Sequence, residues 1–366
     1  MTILFCFGTR PEALKLAPIV RECRALGLDV KVWCANQSPD LLDRTVLPWD
    51  YAPGIGEDDF AFGEQAAKKP TTYPRLTPHL VVVQGDTRSG FRAAVAAYEA
   101  GIKVMHVEAG VRSGNLSSPW PEEGYRKMIS QIASYHACTT EHNSHNLLRE
   151  RVGGWYEGDL HAEVPVVDTD VARVTGSPVV ESVRERARGL RWGDGQLVDI
   201  VTLHRRENRE HFRDILQAIN DTHLLTHVDC VRPELPLAWY THPNGWAKEA
   251  FAAVENKSIA WNIQPPADSK IFAAMLRNAR MVITDSGGVV EECNAIGTRS
   301  VQVRSVTDRP ECLGAGGSFL GGVTRNSVVA AIKEAARFDR STIRTDIYGD
   351  GLASVRLAEW IKEIVA

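Results

Sequence analysis

Short apolar runs alternate with amphipathic stretches along almost the whole chain, and this rhythm most constrains its fold. Strands buried in a parallel sheet read as continuous apolar runs, and each needs a crossover, usually a helix, before the next strand. The runs predict strands at 3–7, 30–34, 80–84, 104–107 and 137–140, then at 197–203, 237–241, 259–263, 281–284 and 301–303. The pattern therefore predicts an α/β fold with doubly wound parallel sheets.

The length of 366 residues exceeds what one hydrophobic core usually organises. We predict two Rossmann-like domains facing a cleft, an N-terminal domain over 1–168 and a C-terminal domain over 169–351. A final helix over 352–366 could pack back on the first domain. In such sheets ligands bind outside the carboxyl ends of the strands, so the residues just after each strand carry the functional information.

Composition excludes several classes of function. With 42 basic and 46 acidic residues the net charge is −4, which gives no broad attraction to nucleic acid or an anionic membrane. No apolar run reaches the ~18–20 residues of a membrane-spanning helix. The seven scattered cysteines suggest reduced thiols in the cytoplasm. A dinucleotide fingerprint is missing and His142 and His145 lack a third ligand, so we expect neither cofactor nor metal.

Carboxylates follow neighbouring strands of the first half. Asp86 comes after the strand at 80–84, and Glu108 after the strand at 104–107. A right-handed crossover between adjacent strands would place them side by side at one edge of the sheet. Glu122 opens the next helix, where an acid alone would only match the helix dipole. Three carboxylates converging on one cleft predict acid/base chemistry, because crowded like charges raise one another's pKa.

Two helix starts are candidate anion sites. The turn 8–10 precedes a helix that carries Lys15, and 286–288 forms a Ser-Gly-Gly start that offers a hydroxyl and bare N–H groups. His204 follows a strand and precedes two arginines, which suits either an anion contact or a solvated basic turn. Glu292 could hold a ribose diol or lie on a solvated face.

Seven stretches, in the same order along the chain, resemble the non-hydrolysing UDP-N-acetylglucosamine 2-epimerase family. They are 7–20, 81–87, 106–127, 203–208, 241–244, 284–293 and 303–311. The Arg-Pro-Glu that follows Gly-Thr favours the non-hydrolysing branch over relatives that hydrolyse the substrate. The resemblance implies a glycosyltransferase-B-like fold.

The resemblance also implies the chemistry and its residues. UDP would leave by anti elimination, giving a 2-acetamidoglucal, and would add back with the proton delivered to the opposite face of C2. No cofactor is needed. The implied catalytic residues are Asp86, Glu108, Glu122 and His204. The implied substrate-binding residues are Arg10, Lys15, Arg112, Arg126, His242, Ser286, Gly287, Gly288, Glu292 and Arg309. The implied partners are the UDP-sugar, UDP and a second copy in a homodimer.

Other functions remain open from sequence alone. The substrate could be a related UDP-2-acetamido sugar. A glycosyltransferase of the same fold would hand the sugar to an acceptor and needs one catalytic base or none. A catalytically inactive UDP-sugar sensor is the third class. The three carboxylates argue against the glycosyltransferase, and their presence together with His204 argues against the sensor.

Overall fold

The computed structural model describes residues 1–35, 44–51, 60–67, 76–152, 170–190, 198–226, 237–240, 249, 251–255, 261–265 and 267–366. The chain divides into two compact units, Met1–Ser182 together with Gly349–Ala366, and Val183–Tyr348. Within the described ranges, no helix combines the length and apolar character needed to cross a membrane.

The first unit contains a six-stranded sheet in which every strand pair is parallel. Its strands are β1 Thr2–Phe7, β2 Asp29–Cys34, β3 Leu80–Gln84, β4 Lys103–Ala109, β5 Tyr135–Cys138 and β6 Ala172–Val174. Its order is β2-β1-β3-β4-β5-β6. The helices are α1 Arg10–Ala25, α2 Gly63–Ala67, α3 Arg88–Glu99, α4 Glu122–Ile132, α5 Glu141–Arg149 and α6 Val179–Arg186, which leads into the second unit.

The apolar runs form strands because both faces of this sheet are covered. Alternate side chains of β1 point to opposite faces. Phe5 packs with α1, whereas Leu4 packs with α3. The C-terminal helix α11, Ala353–Val365, adds Trp360 to the same core as Phe5 and packs on α1. The end of the chain therefore completes the core of the first unit.

The second unit repeats the architecture. Its strands are β7 Val198–Thr202, β8 Leu237–Tyr240, β9 Trp261–Gln264, β10 Ala279–Thr284, β11 Arg299–Gln302 and β12 Ser318–Leu320, in the order β12-β11-β10-β7-β8-β9. Its helices are α7 Phe212–Thr226, α8 Ser269–Asn278, α9 Gly287–Ala295 and α10 Arg325–Arg337. Both predicted doubly wound sheets are confirmed, and all ten predicted strands are present to within a few residues.

The boundary between the units differs from the predicted one. The sequence places it after residue 168, but the first unit extends to Ser182. The reason is β6, which pairs with β5 and becomes the edge strand of the first sheet. A strand of three residues is too short for its periodicity to be detected. Residues 349–351 likewise belong to the first unit rather than the second.

Candidate active site

Each sheet has one place where the strand order reverses direction. In the first unit it lies between β1 and β3, and in the second between β7 and β10. Loops at such a switch point diverge to opposite faces of the sheet and leave a crevice for ligands. The polar residues singled out after strands lie near these two places, one in each unit, and each group is described by itself.

Glu108 is a buried and closely held carboxylate of the first unit. Its carboxylate accepts hydrogen bonds from Lys15 Nζ at 2.7 Å and from Gln84 Nε2. The residue is 6% exposed and has φ of +68°. A left-handed backbone at a residue other than glycine costs about 1–3 kcal/mol and persists only where its surroundings hold it. The fold therefore holds Glu108 in an unfavourable backbone conformation that fixes the direction of its side chain.

Asp86 lies next to this cluster. It is joined to Arg126 of α4, which also lies 3.4 Å from a carboxylate oxygen of Glu123. A Cβ placed on Gly85 would be 3.7 Å from Oε2 of Glu108, which shows how near the loop of Asp86 comes to it. Glu122 opens α4 one turn before Arg126 and is partly buried. The structure thus brings Asp86 and Glu108 together, each with a cation beside it.

Glu12 overturns one expectation from the sequence. The turn at 8–9 is expected to offer free N–H groups, but the Glu12 carboxylate accepts from Gly8 N at 3.0 Å and Thr9 N at 2.8 Å. It also accepts from the Thr87 hydroxyl at 2.6 Å. Burial raises the pKa of Glu12, although these hydrogen bonds partly offset it. The Gly8 and Thr9 N–H groups are therefore not free for an anion, because Glu12 accepts from both and joins the loops after β1 and β3.

Two predicted substrate-binding arginines are engaged with the protein. Arg112 donates to Glu150 through Nε at 3.1 Å and Nη2 at 2.8 Å, to Ser130 at 3.0 Å and to its neighbouring carbonyl. Arg309 of the second unit is buried against Glu291 and Asp308. These bonds show that both side chains have partners within the protein, and their contact with a ligand stays a prediction. Arg10, by contrast, begins α1 with a partly exposed side chain.

In the second unit, Asp285 orients His204. Its buried carboxylate accepts from the His204 N–H at 2.9 Å and the Arg205 N–H at 2.8 Å, and it lies 3.1 Å from His204 Nδ1. Burial alone would raise the pKa of Asp285, but the charge and hydrogen bonds of His204 and Arg205 outweigh it and lower the pKa. Asp285 therefore fixes both the backbone and the ring of His204.

The start of α9 has the geometry of an anion site. Ser286 precedes the helix and makes no side-chain capping bond to its first turn among the described residues. A Cβ on Gly287 would lie 3.0 Å from Asp308 Oδ1, whereas a Cβ on Gly288 would meet nothing nearer than 4.0 Å. The first glycine is required by close packing, and the second leaves the helix start accessible.

Glu292 lies further along α9 and is held by an arginine of α6. Arg186 of α6 pairs with its Oε1 and donates to the Ser269 carbonyl at 3.1 Å. Arg184 donates to the carbonyl of Ala295 at 3.2 Å. The predicted His242 lies outside the described residues. Among the residues that are described, no three His, Cys, Asp or Glu side chains are grouped to hold a metal ion.

Sequence reasoning missed the supporting roles of Glu12, Asp285 and Arg186. Glu12 stands at the third position of a helix after Thr9, a spacing typical of a capping box, which was a usable signal. Asp285 has no local signal for its role, because the N–H groups it accepts from lie about 80 residues earlier, at His204 and Arg205. Arg186 has no local signal, because its partner Glu292 lies 106 residues away.

Two doubly wound parallel sheets, each with polar loops at its switch point, define a protein of the glycosyltransferase-B-like class. Comparison with known proteins narrows the class. The chain belongs to the UDP-N-acetylglucosamine 2-epimerase family, whose model matches residues 63–362. The UDP-N-acetylglucosamine 2-epimerase of Escherichia coli K12 is 30% identical over 393 residues, covering 99% of this chain and 98% of the relative.

Solved structures agree with this assignment. The UDP-GlcNAc 2-epimerase from Neisseria meningitidis bound to UDP-GlcNAc superimposes with a TM-score of 0.79 at 26% identity, covering 99% of this chain and all of the other. The S. aureus MnaA–UDP structure gives a TM-score of 0.81 at 26% identity, covering 100% of this chain and 96% of the other. The family resemblance and the fold predicted from sequence are confirmed.

Proposed function

We propose that this protein is a non-hydrolysing UDP-N-acetylglucosamine 2-epimerase that interconverts UDP-GlcNAc and UDP-ManNAc. The observation that carries the proposal is the cluster in which Glu108, held by Lys15, lies beside the loop of Asp86. Family membership and the UDP-GlcNAc-bound relative from N. meningitidis support the choice of substrate.

The chemistry explains why such a cluster is needed. The proton on C2 is not acidic, so it leaves together with UDP: the C1–O bond breaks, a base takes the C2 proton, and C1 and C2 become double bonded. In the reverse direction a UDP oxygen re-forms the bond to C1, and an acid delivers a proton to the opposite face of C2. Two faces call for more than one acid/base group.

We assign the proton transfers to Asp86, Glu108 and Glu122. Lys15 lies beside Glu108 and Arg126 beside Asp86, so each of these two carboxylates has a cationic partner within the protein. The carboxylates also suit the positive charge that develops on the sugar ring as the C1–O bond breaks.

We assign the binding of the departing UDP to the second unit. As the C1–O bond breaks, negative charge gathers on the diphosphate, and the N-terminus of α9 together with His204 would stabilise it. Asp285 supports this role, because its hydrogen bonds fix the His204 backbone and ring. Glu292, held by Arg186, would accept hydrogen bonds from the ribose hydroxyls.

The test is an NMR time course of the purified protein with UDP-GlcNAc and no acceptor. An epimerase yields UDP-ManNAc up to a fixed equilibrium ratio, which is reached from either sugar nucleotide. Turnover only after a sugar acceptor is added would identify a glycosyltransferase. Conversion of a related UDP-2-acetamido sugar but not of UDP-GlcNAc would correct the substrate.

A cytoplasmic homodimer completes the proposal. The six described cysteines are free and buried, which suits a reducing compartment. Light scattering during gel filtration tests the assembly: twice the chain mass is expected, and a monomer at working concentration would overturn that part. Fractionation of the native cells tests the location.

A further inference from the structure

Strand β4 holds both backbone polar groups of Gly85, the residue before Asp86. The Gly85 N–H donates to the carbonyl of Val107 at 3.0 Å. The Gly85 carbonyl accepts a hydrogen bond from Nε2 of His106 at 2.8 Å. Gly85 has φ of +68°, so the chain turns sharply here after β3. The place of Asp86, the next residue, therefore depends on β4.

His106 is a fixed donor at this position. Its side chain is fully buried, and because a carbonyl can only accept, Nε2 carries the proton. Burial lowers the pKa of His106 to about 4, and the charge of Arg112 adds to this, while the Gly85 hydrogen bond and the charges of Glu108 and Asp86 oppose it. The ring therefore stays neutral through the physiological range and does not carry protons.

The same strand positions the second carboxylate directly. Glu108 stands two residues after His106 on β4, and its Oε2 lies within van der Waals reach of a Cβ on Gly85. Strand β4 thus determines where both carboxylates lie, Glu108 through its own backbone and Asp86 through the hydrogen bond from His106.

We propose that His106 is a positioning residue that sets the separation of the Asp86 and Glu108 carboxylates for proton transfer at C2. The inference rests on the proposed epimerase function. Without the donor, the buried Gly85 carbonyl loses its partner and the loop shifts to find another. A shift of about 1 Å at a group that reacts in a fixed geometry can cost roughly 10²-fold in rate.

The chain offers a matched control in His136. It lies opposite His106 in the register of β4 and β5, it is also buried, and burial lowers its pKa to about 3. Its ring makes no hydrogen bond to Gly85 in the described structure. Replacing either histidine with leucine removes a buried imidazole, but only His106→Leu removes the donor to the loop of Asp86.

The experiment measures kcat, KM and the pH profile of wild type, His106→Leu, His106→Gln and His136→Leu with UDP-GlcNAc. We expect His106→Leu to lower kcat by roughly 10²-fold, with KM within a few-fold of wild type. Glutamine can place an N–H near the position of Nε2, so His106→Gln should recover most of kcat and keep both limbs of the pH profile. His136→Leu should stay within a few-fold of wild type.

Other outcomes overturn the proposal in distinct ways. Equal losses in the two leucine variants would mean that His106 only fills the core. A limb of the pH profile lost in His106→Gln would make His106 a proton carrier. If His106→Leu does not fold, as judged by circular dichroism, a folded His106→Gln with strongly reduced kcat is sufficient to refute it. If the wild-type protein does not epimerise UDP-GlcNAc, the proposed function itself is wrong. This result is distinguishable because it is seen before any variant is compared.

Discussion

The ammonium group of Lys15 lies 2.7 Å from a carboxylate oxygen of Glu108, and both side chains are nearly buried. The pair joins α1, which follows β1, to the end of β4, one strand beyond the switch point between β1 and β3. A buried carboxylate stays ionised at modest cost only when a cation and hydrogen-bond donors surround it. Lys15 and Gln84 supply these to the acid that we place at the centre of the reaction.

Removing the cation should therefore damage both stability and activity. We expect Lys15→Met to lower the free energy of unfolding by about 3–5 kcal/mol, the range for a buried pair that loses one partner. Turnover should fall with it. The double variant Lys15→Met, Glu108→Gln removes both charges and should regain much of the stability but no turnover. Urea unfolding measures this, and strictly additive losses would show that the pair is not coupled.

The three proposed acid/base residues should be separable from the fold. Asp86→Asn, Glu108→Gln and Glu122→Gln should each lower turnover by roughly 10²–10⁴-fold while circular dichroism stays unchanged. Glu99→Gln is a matched control, because Glu99 is exposed at the end of α3 and contacts Gln65. Turnover near wild type in all three active-site variants would refute the assignment.

The two glycines at the start of α9 should behave differently. A Cβ at 288 would meet nothing nearer than 4.0 Å. A valine there would cover the N–H groups of the helix start, so UDP affinity should fall by about 10–100-fold with little change in melting temperature. A valine at 287 would press on Asp308 and should lower the melting temperature as well. Calorimetry with UDP, and with uridine as the ligand without phosphates, measures the effect. Unchanged UDP affinity in Gly288→Val would move the phosphate site elsewhere.

Asp285 should give the protein a measurable sensitivity to acid. Its pKa is lowered in the folded state, so its contribution to stability is present above the unfolded-state value of about 4 and is lost as the pH falls through the folded value. The difference in unfolding free energy between wild type and Asp285→Asn should be constant near neutral pH and should shrink in acid. A difference that does not change with pH would show that Asp285 is not held in its charged form by His204.

Much of this fold could be read from sequence because its strands are apolar on both faces and its crossovers follow one handedness. That rule placed Asp86 and Glu108 at adjacent strand ends, where the structure also has them. Periodicity could not detect the three-residue β6, so the predicted boundary between the units lies too early in the chain.

The pairing of charges was harder to predict, because partners lie far apart in the chain. Arg309 and Arg112 look like ligand contacts beside a strand end, yet the fold buries them against Glu291 and Glu150. The turn at Gly8 resembles an anion site in the sequence, but in the structure the Glu12 carboxylate accepts the Gly8 N–H. An arginine or a glycine turn in the sequence shows that an anion could be bound there. It does not show whether that anion is a ligand or a carboxylate of the same chain.

The measurement that tests the central claim most directly is the isotope content of C2 after turnover in heavy water. UDP-GlcNAc is incubated with the protein in D₂O without acceptor, and both sugar nucleotides are examined by NMR and mass spectrometry. The account predicts one deuterium at C2 of the UDP-ManNAc formed, and its gradual appearance in UDP-GlcNAc, because the C2 proton leaves with UDP and returns from the solvent-exchanged acid. UDP-ManNAc that retains the original hydrogen at C2 would contradict the elimination and the roles given to Asp86, Glu108 and Glu122.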